Sequence, residues 1–311
     1  MKATPVDVGA ALDARLPGQV RRDVPSAELT TYRCGGPLAV FVRAEREDDL
    51  QLVAEVLAPT DVPVLVVGRG SNLLVADAGF PGVAISLAGE LEQLDIDRAA
   101  ARVHAGGGVP LPVLARRAAA AGVGGLEFFV GIPGSVGGAV RMNAGGHGAD
   151  TNDVIVTARV LDLAGGAARE LNRADLGLGY RQSALSPLAV VVGAVFSGRT
   201  DEPAACAARV DEIVRWRREH QPGGQNAGSV FTNPPGDAAG RLIEAAGCKG
   251  TRLGGAVVSE KHANFFVADP GASAADVYAL IALVQQRVEA AFGVHLEPEL
   301  RCIGFGVGEQ R

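Results

Sequence analysis

Apolar residues recur along this chain at two periods, one helical and one alternating, and together they predict its elements. Leu50, Val53 and Leu57 share one face of a segment opened by Glu47, Asp48 and Asp49, which predicts a helix from Glu47 that Pro59 closes. Leu111, Leu114, Ala115 and Ala118 mark a second helix over 110–121, stopped by Gly122, Gly124 and Gly125. A long helix is predicted over 203–220, with Cys206, Val210, Ile213 and Val214 on one side, and a short one over 238–246 ahead of Gly247. The clearest helix begins at the capping pair Ser273 and Asp276, turns Val277, Leu280, Ile281, Val284 and Val288 inward, and ends at Gly293. Short apolar runs bounded by turn residues predict strands before Val42, at 64–67, from Leu73 to Leu87, and at 103–108, 154–163 and 188–196. Two more flank 259–263, and 296–303 reads as a closing strand. The texture changes after Ser197, and a domain boundary is placed near Pro222. Disorder is left open for the first 25 residues.

Residues 131–148, GIPGSVGGAVRMNAGGHG, hold seven glycines and interrupt both periods. Such a density predicts neither helix nor ordinary strand. It frees the backbone to present bare N–H groups at close range, and clustered N–H groups form anion-binding concavities. Ile132, Val136, Val140 and Met142 punctuate the run, which a flexible polar linker would lack. A second glycine turn, Gly68 to Asn72, follows a strand, but Leu73 stands where a dinucleotide-binding turn needs its third glycine, and strands continue where a helix is required. The nicotinamide-type Rossmann fold is therefore disfavoured. Ser71 and Asn72 remain suited to a pyrophosphate.

With 311 residues the chain has room for two or three domains, and 48% hydrophobic with 21% charged residues describes a globular protein. A net charge of −6 offers no general attraction to nucleic acid or an anionic membrane, so a phosphorylated ligand needs local donors. No stretch approaches a membrane span or a secretory signal core, which makes the cytoplasm the expected location. The four cysteines are dispersed without a CxxC, and the five histidines show no i, i+4 pair, so neither metal site nor disulfide framework is expected.

Six segments in register, GRGSNLLV, GIPGSVGGAVRMNAG, GYRQS, AGSVFTNP, LIEAAGCKG with GGAVVSEKHANFFV, and LEPELR, resemble the bacterial UDP-N-acetylenolpyruvoylglucosamine reductases of peptidoglycan synthesis. The likeness runs from about Thr30 to Gly304, and the length looks like the shorter second type. It implies an α+β protein, with an FAD-binding fold of the vanillyl-alcohol-oxidase type in two subdomains (1–90 and 91–200) and a substrate domain (201–311). It also implies non-covalent FAD, NADPH as reductant and a sugar-nucleotide substrate; a monomer is expected.

That chemistry adds hydride to the terminal carbon of an enol ether, so charge builds on the neighbouring carbon and its carboxylate. A cation and a proton donor are required. The resemblance puts Arg181 on the carboxylate, Ser229 as donor to the second carbon, and Glu299 as the acid completing the arrangement. For the flavin it implies Gly68, Arg69, Gly70, Ser71, Asn72, Ile132, Gly134, Ser135, Gly138, Asn143 and Gly145. For the substrate diphosphate and uridine it implies Tyr180, Asn233, Lys261 and His262. Thr232 stands where a basic residue is usual, Gly146 and His147 replace Ala-aromatic, and Ala268 replaces a common Asn. A flavin oxidase passing electrons to oxygen would share the cofactor loops but not AGSVFTNP or LEPELR. A non-enzymatic nucleotide-binding protein would need none of Arg181, Ser229 and Glu299.

Overall fold

The computed structural model describes residues 3–306, and they form two compact units. The first takes the N-terminal segment up to Asp23, Ala39–Arg69 and Pro81–Trp216; the second takes Val24–Leu38, Gly70–Phe80 and the chain from Arg217 onward. No helix among the described residues is long and apolar enough to cross a membrane.

The first unit carries the two large sheets. One orders its strands Val20–Pro25, Pro37–Ala44, Phe80–Leu87 and Val64–Val66, the last two parallel. The other is antiparallel, in the order Ala168–Asn172, Ile155–Asp162, Ala189–Ser197, Arg102–Gly106 and Leu94–Asp97. Successive side chains of a strand point to opposite faces, and here both faces are buried. Val190 and Val192 enter a cluster with Leu50, Val53 and Ile85, from helix Glu47–Leu57 and strand Phe80–Leu87. Ala189, Val191 and Phe196 enter another with Leu111, Leu114, Phe129 and Val140. Each such Val, Leu, Ile or Phe side chain removed from water stabilises the fold by about 1.5–3 kcal/mol.

Two points of this unit stand out against the sequence reading. Where disorder was left open, Thr4 and Asp7 form a capping box on helix Pro5–Arg15, whose Val8 and Leu12 are buried. The glycine-rich segment contains a short helix, Val136–Met142, although its composition argued against one. Ser135 caps it, accepting from Gly138 N–H, and Val136, Ala139 and Val140 bury its apolar side. Packing overrides the weak propensity of Gly137 and Gly138.

The second unit is built on the antiparallel strands Arg252–Leu253, Ala256–Val258 and Phe266–Ala268, packed against helices Ala239–Ala245 and Ala274–Phe292. The last helix has the predicted Ser273–Asp276 capping box and ends at Gly293 in the left-handed region. The closing strand is shorter than predicted, only Arg301–Ile303, and lies parallel to Leu73–Val75. Asp77 accepts from the N–H groups of Ala274 and Ala275, so a carboxylate stabilises the positive end of that helix.

Candidate active site

In the first unit the glycine-rich segment and the GYRQS turn are tied together. Residues 147 and 148 form a two-residue turn between strands Gly145–Gly146 and Ala149–Asp150, both with positive φ. That is the twist a tight hairpin prefers, and histidine tolerates it better than most side chains. Asn143, buried and left-handed at the end of the short helix, donates from Nδ2 to Asp150 Oδ2 and to the Gly179 carbonyl, each at 3.0 Å, and accepts from Asn152 N–H. Gly179 pairs with Gln182 across a turn whose tip is Tyr180 and Arg181. Arg181 has φ +56°, a conformation usually left to Gly or Asn at this turn position, and its Nη2 donates to the Gly145 carbonyl at 3.3 Å. Tyr180 is 57% exposed, with the Arg181 guanidinium 5.1 Å from its ring centre.

Gly68 and Ser135 meet in the same unit. A Cβ at Gly68 would stand 2.5 Å from Ser135 Oγ, so that surface is bare main chain beside a hydroxyl. Gly138 is exposed, and a Cβ at Gly146 would meet nothing within 4 Å. Arg69 is exposed, while Ile132, Gly134 and Gly145 are half-buried along the loop. Bare peptide groups next to a cation suit the flat, anion-bearing FAD that the resemblance implies.

In the second unit a different set converges. Glu299 N–H donates to the Val230 carbonyl at 2.8 Å and Thr232 N–H to the Glu297 carbonyl at 2.9 Å, so AGSVFTNP and LEPELR run side by side and bring Ser229 and Glu299, both half-buried, into one neighbourhood. Asn72 joins them, its Nδ2 donating to the Glu299 carbonyl at 3.0 Å and its own carbonyl accepting from Arg301 N–H. Gly70 is conformationally required: its φ is +59°, and a Cβ would lie 1.9 Å from the Leu29 carbonyl oxygen. Beside it the Thr30 hydroxyl is buried with no partner among the described residues, as is that of Tyr32. The orphaned Thr30 hydroxyl next to the expected pyrophosphate turn is a second feature that fits a cofactor there.

The expected nucleotide contacts share this unit. Asn233 Oδ1 accepts from Ala239 N–H at 3.0 Å, so part of its side chain caps a helix. Lys261 Nζ donates to the Arg218 carbonyl. His262 packs edge-on to Phe265, and burial, with Lys249 adding to it, pushes its pKa below the ordinary histidine value. Among the described residues no group of His, Cys, Asp or Glu is placed to hold a metal ion. Three of the four cysteines are buried, and burial raises the thiol pKa of Cys302 to about 12 and that of Cys34 to about 11.

Asn264 was not singled out from the sequence, yet it holds the site. It is buried, its Oδ1 accepts from Phe231 N–H at 3.0 Å, its Nδ2 donates to the Phe231 carbonyl at 2.8 Å, and its carbonyl accepts from Val230 N–H. The only signal was one amide inside the apolar run ANFF. Ser259, also buried, accepts from the N–H groups of Lys261 and His262 and shapes their loop.

Residues 37–172 match the family described as an FAD binding domain, and residues 220–303 match that of the UDP-N-acetylenolpyruvoylglucosamine reductase C-terminal domain. The chain is 45% identical over 292 residues to the UDP-N-acetylenolpyruvoylglucosamine reductase of Paramagnetospirillum magneticum, covering 94% of each. It is 44% identical over 297 residues to that of Phenylobacterium zucineum, covering 93% of this chain and 98% of the relative. The crystal structure of UDP-N-acetylenolpyruvylglucosamine reductase from Thermus caldophilus superposes with a TM-score of 0.80 at 37% identity, over 91% of this chain and 99% of that one. The match over 220–303 decides against an oxygen-linked oxidase sharing only the cofactor fold. The chain therefore belongs to the UDP-N-acetylenolpyruvoylglucosamine reductase family, in its short form, with an FAD-binding fold of the vanillyl-alcohol-oxidase type followed by that family's C-terminal domain.

Proposed function

We propose that in this reductase the reduction of UDP-N-acetylglucosamine enolpyruvate to UDP-N-acetylmuramate is carried chemically by Arg181, Ser229 and Glu299. Bound FAD, reduced by NADPH, supplies the hydride. As the terminal carbon of the double bond becomes a methyl group, negative charge grows on the neighbouring carbon and spreads into the carboxylate. Arg181 meets that carboxylate with a planar, permanently charged donor pair and lowers the energy of the enolate as it forms. The Ser229 hydroxyl gives its proton to the second carbon, and Glu299 completes the electrostatic arrangement around it. Tyr180, Asn233, Lys261 and His262 hold the nucleotide diphosphate. The loops around Gly68, Arg69, Gly70, Ser71 and Asn72, and around Ile132, Gly134, Ser135, Gly138, Asn143 and Gly145, hold FAD non-covalently. In this reading residues 1–90 and 91–200 serve the cofactor and 201–311 the substrate, and the protein works as a cytoplasmic monomer.

The observation that carries the role assignment is the Glu299 N–H to Val230 carbonyl bond, which ties the serine and the carboxylate to one backbone frame. The test is Ser229→Ala. NADPH is expected to bleach the flavin of the variant at the wild-type rate, while reoxidation by the enolpyruvyl substrate slows by about 10²–10⁴-fold. Wild-type turnover in Ser229→Ala would remove Ser229 from the chemistry.

A further inference from the structure

Trp216 is the only tryptophan in the chain and stands 41% exposed on helix Pro203–His220. The His147 ring meets it edge to face, with centroids 5.0 Å apart and planes at 87°. His147 occupies the hairpin tip with φ +56°, a conformation that costs about 1 kcal/mol or more in a side-chain-bearing residue and persists where surrounding contacts enforce it. Gly131 makes room for the pair, since a Cβ there would lie 3.1 Å from the imidazole. The helix is itself anchored, because Arg209 bonds Glu127 Oε1 at 2.9 and 2.7 Å and Asp201 Oδ2 at 2.6 Å. From the same hairpin, the Gly145 carbonyl accepts from Arg181 Nη2, and Asp150 accepts from Asn143, which also holds the Gly179 carbonyl at the base of the Arg181 turn.

We propose that Trp216 and His147 form a clasp that fixes the hairpin carrying Gly145 and Asp150, and through it the Arg181 guanidinium, which makes Trp216 a positioning residue for the carboxylate-binding cation. Helix, imidazole, hairpin and guanidinium are joined by consecutive contacts within one compact unit. The inference rests on Arg181 meeting the substrate carboxylate.

The experiment separates the two half-reactions by stopped flow for Trp216→Ala, Trp216→Phe, His147→Ala and Arg181→Ala, each as the FAD-loaded protein. Trp216→Ala is expected to slow flavin reoxidation by the enolpyruvyl substrate about 10-fold or more, since an ångström of misplacement suffices for that. Bleaching by NADPH should be unchanged, and Trp216→Phe should recover most of the loss. Combined with Arg181→Ala, Trp216→Ala should add nothing. In FAD-free protein, His147→Ala should shift the single-tryptophan emission. Equal loss in both half-reactions, additivity with Arg181→Ala, or an unmoved emission would overturn the clasp. If Arg181→Ala abolishes reoxidation while Trp216→Ala and His147→Ala leave it intact, the clasp alone fails. If Arg181→Ala itself leaves reoxidation intact, the carboxylate assignment fails.

Discussion

Asn264 does with one side chain what a neighbouring strand does elsewhere, offering an acceptor and a donor to the two peptide groups of Phe231. Removing it strands a buried N–H and a buried C=O two residues from Ser229. Asn264→Ala is therefore expected to cost about 2–4 kcal/mol, counting the two buried groups left unpaired, and to lower turnover; urea unfolding and steady-state rates check both. A loss below about 0.5 kcal/mol would mean the pair contributes little. Arg181 is the opposite case, since GYRQS points to it by resemblance, and the structure places it at a turn tip with left-handed φ. Asn264 stayed illegible because a single amide in an apolar run reads equally as an edge-strand residue facing solvent. Its role depends on which backbone lies 33 positions away, and no local pattern encodes that.

Among the elements, the helices were the legible part. The helix predicted from Glu47 and closed by Pro59 is observed as Glu47–Leu57, and the predicted range 203–220 coincides with Pro203–His220, because breakers and apolar spacing agree. Strands Leu94–Asp97 and Ala168–Asn172 were not anticipated; both are edge strands with exposed alternate residues and a weak apolar signal. Helix Val136–Met142 was misjudged because glycine content was weighed without the packing of Val136 and Val140. What pins helix Pro203–His220 is partly electrostatic. Burial works to raise the Glu127 pKa, but backbone N–H donors and the Arg209 bonds outweigh it, and the net shift is downward. A carboxyl depressed in the fold stabilises above its unfolded value, about 4.5, and loses that contribution as pH falls through the lower folded value. Glu127→Gln should thus cost on the order of 2 kcal/mol at pH 7, below the figure for a fully enclosed pair because the Arg209 side chain is 35% exposed. The deficit should shrink as pH approaches 3. A deficit equal at pH 7 and pH 3.5 would show that the carboxylate charge is not what matters.

For the molecule as a whole, order along the chain and neighbourhood in space part company. The second unit gathers three stretches, and its Asn72–Glu299 bond joins residues 227 positions apart. Neither Leu73–Val75 nor Arg301–Ile303 announces its partner, because a three-residue parallel pair carries no periodicity of its own. The activity was legible because six motifs keep their order across nearly the whole length, which composition alone could not have supplied. A net charge of −6 also leaves recognition of an anionic sugar nucleotide to local groups, so binding should not collapse steeply with salt. The most direct measurement takes the yellow protein under anaerobic conditions, bleaches it with NADPH, and adds the enolpyruvyl sugar nucleotide. Return of the flavin absorbance in proportion to the nucleotide added, with one lactyl ether formed per flavin, is the predicted result. Colour that stays bleached with the nucleotide and returns only on admitting air would contradict it.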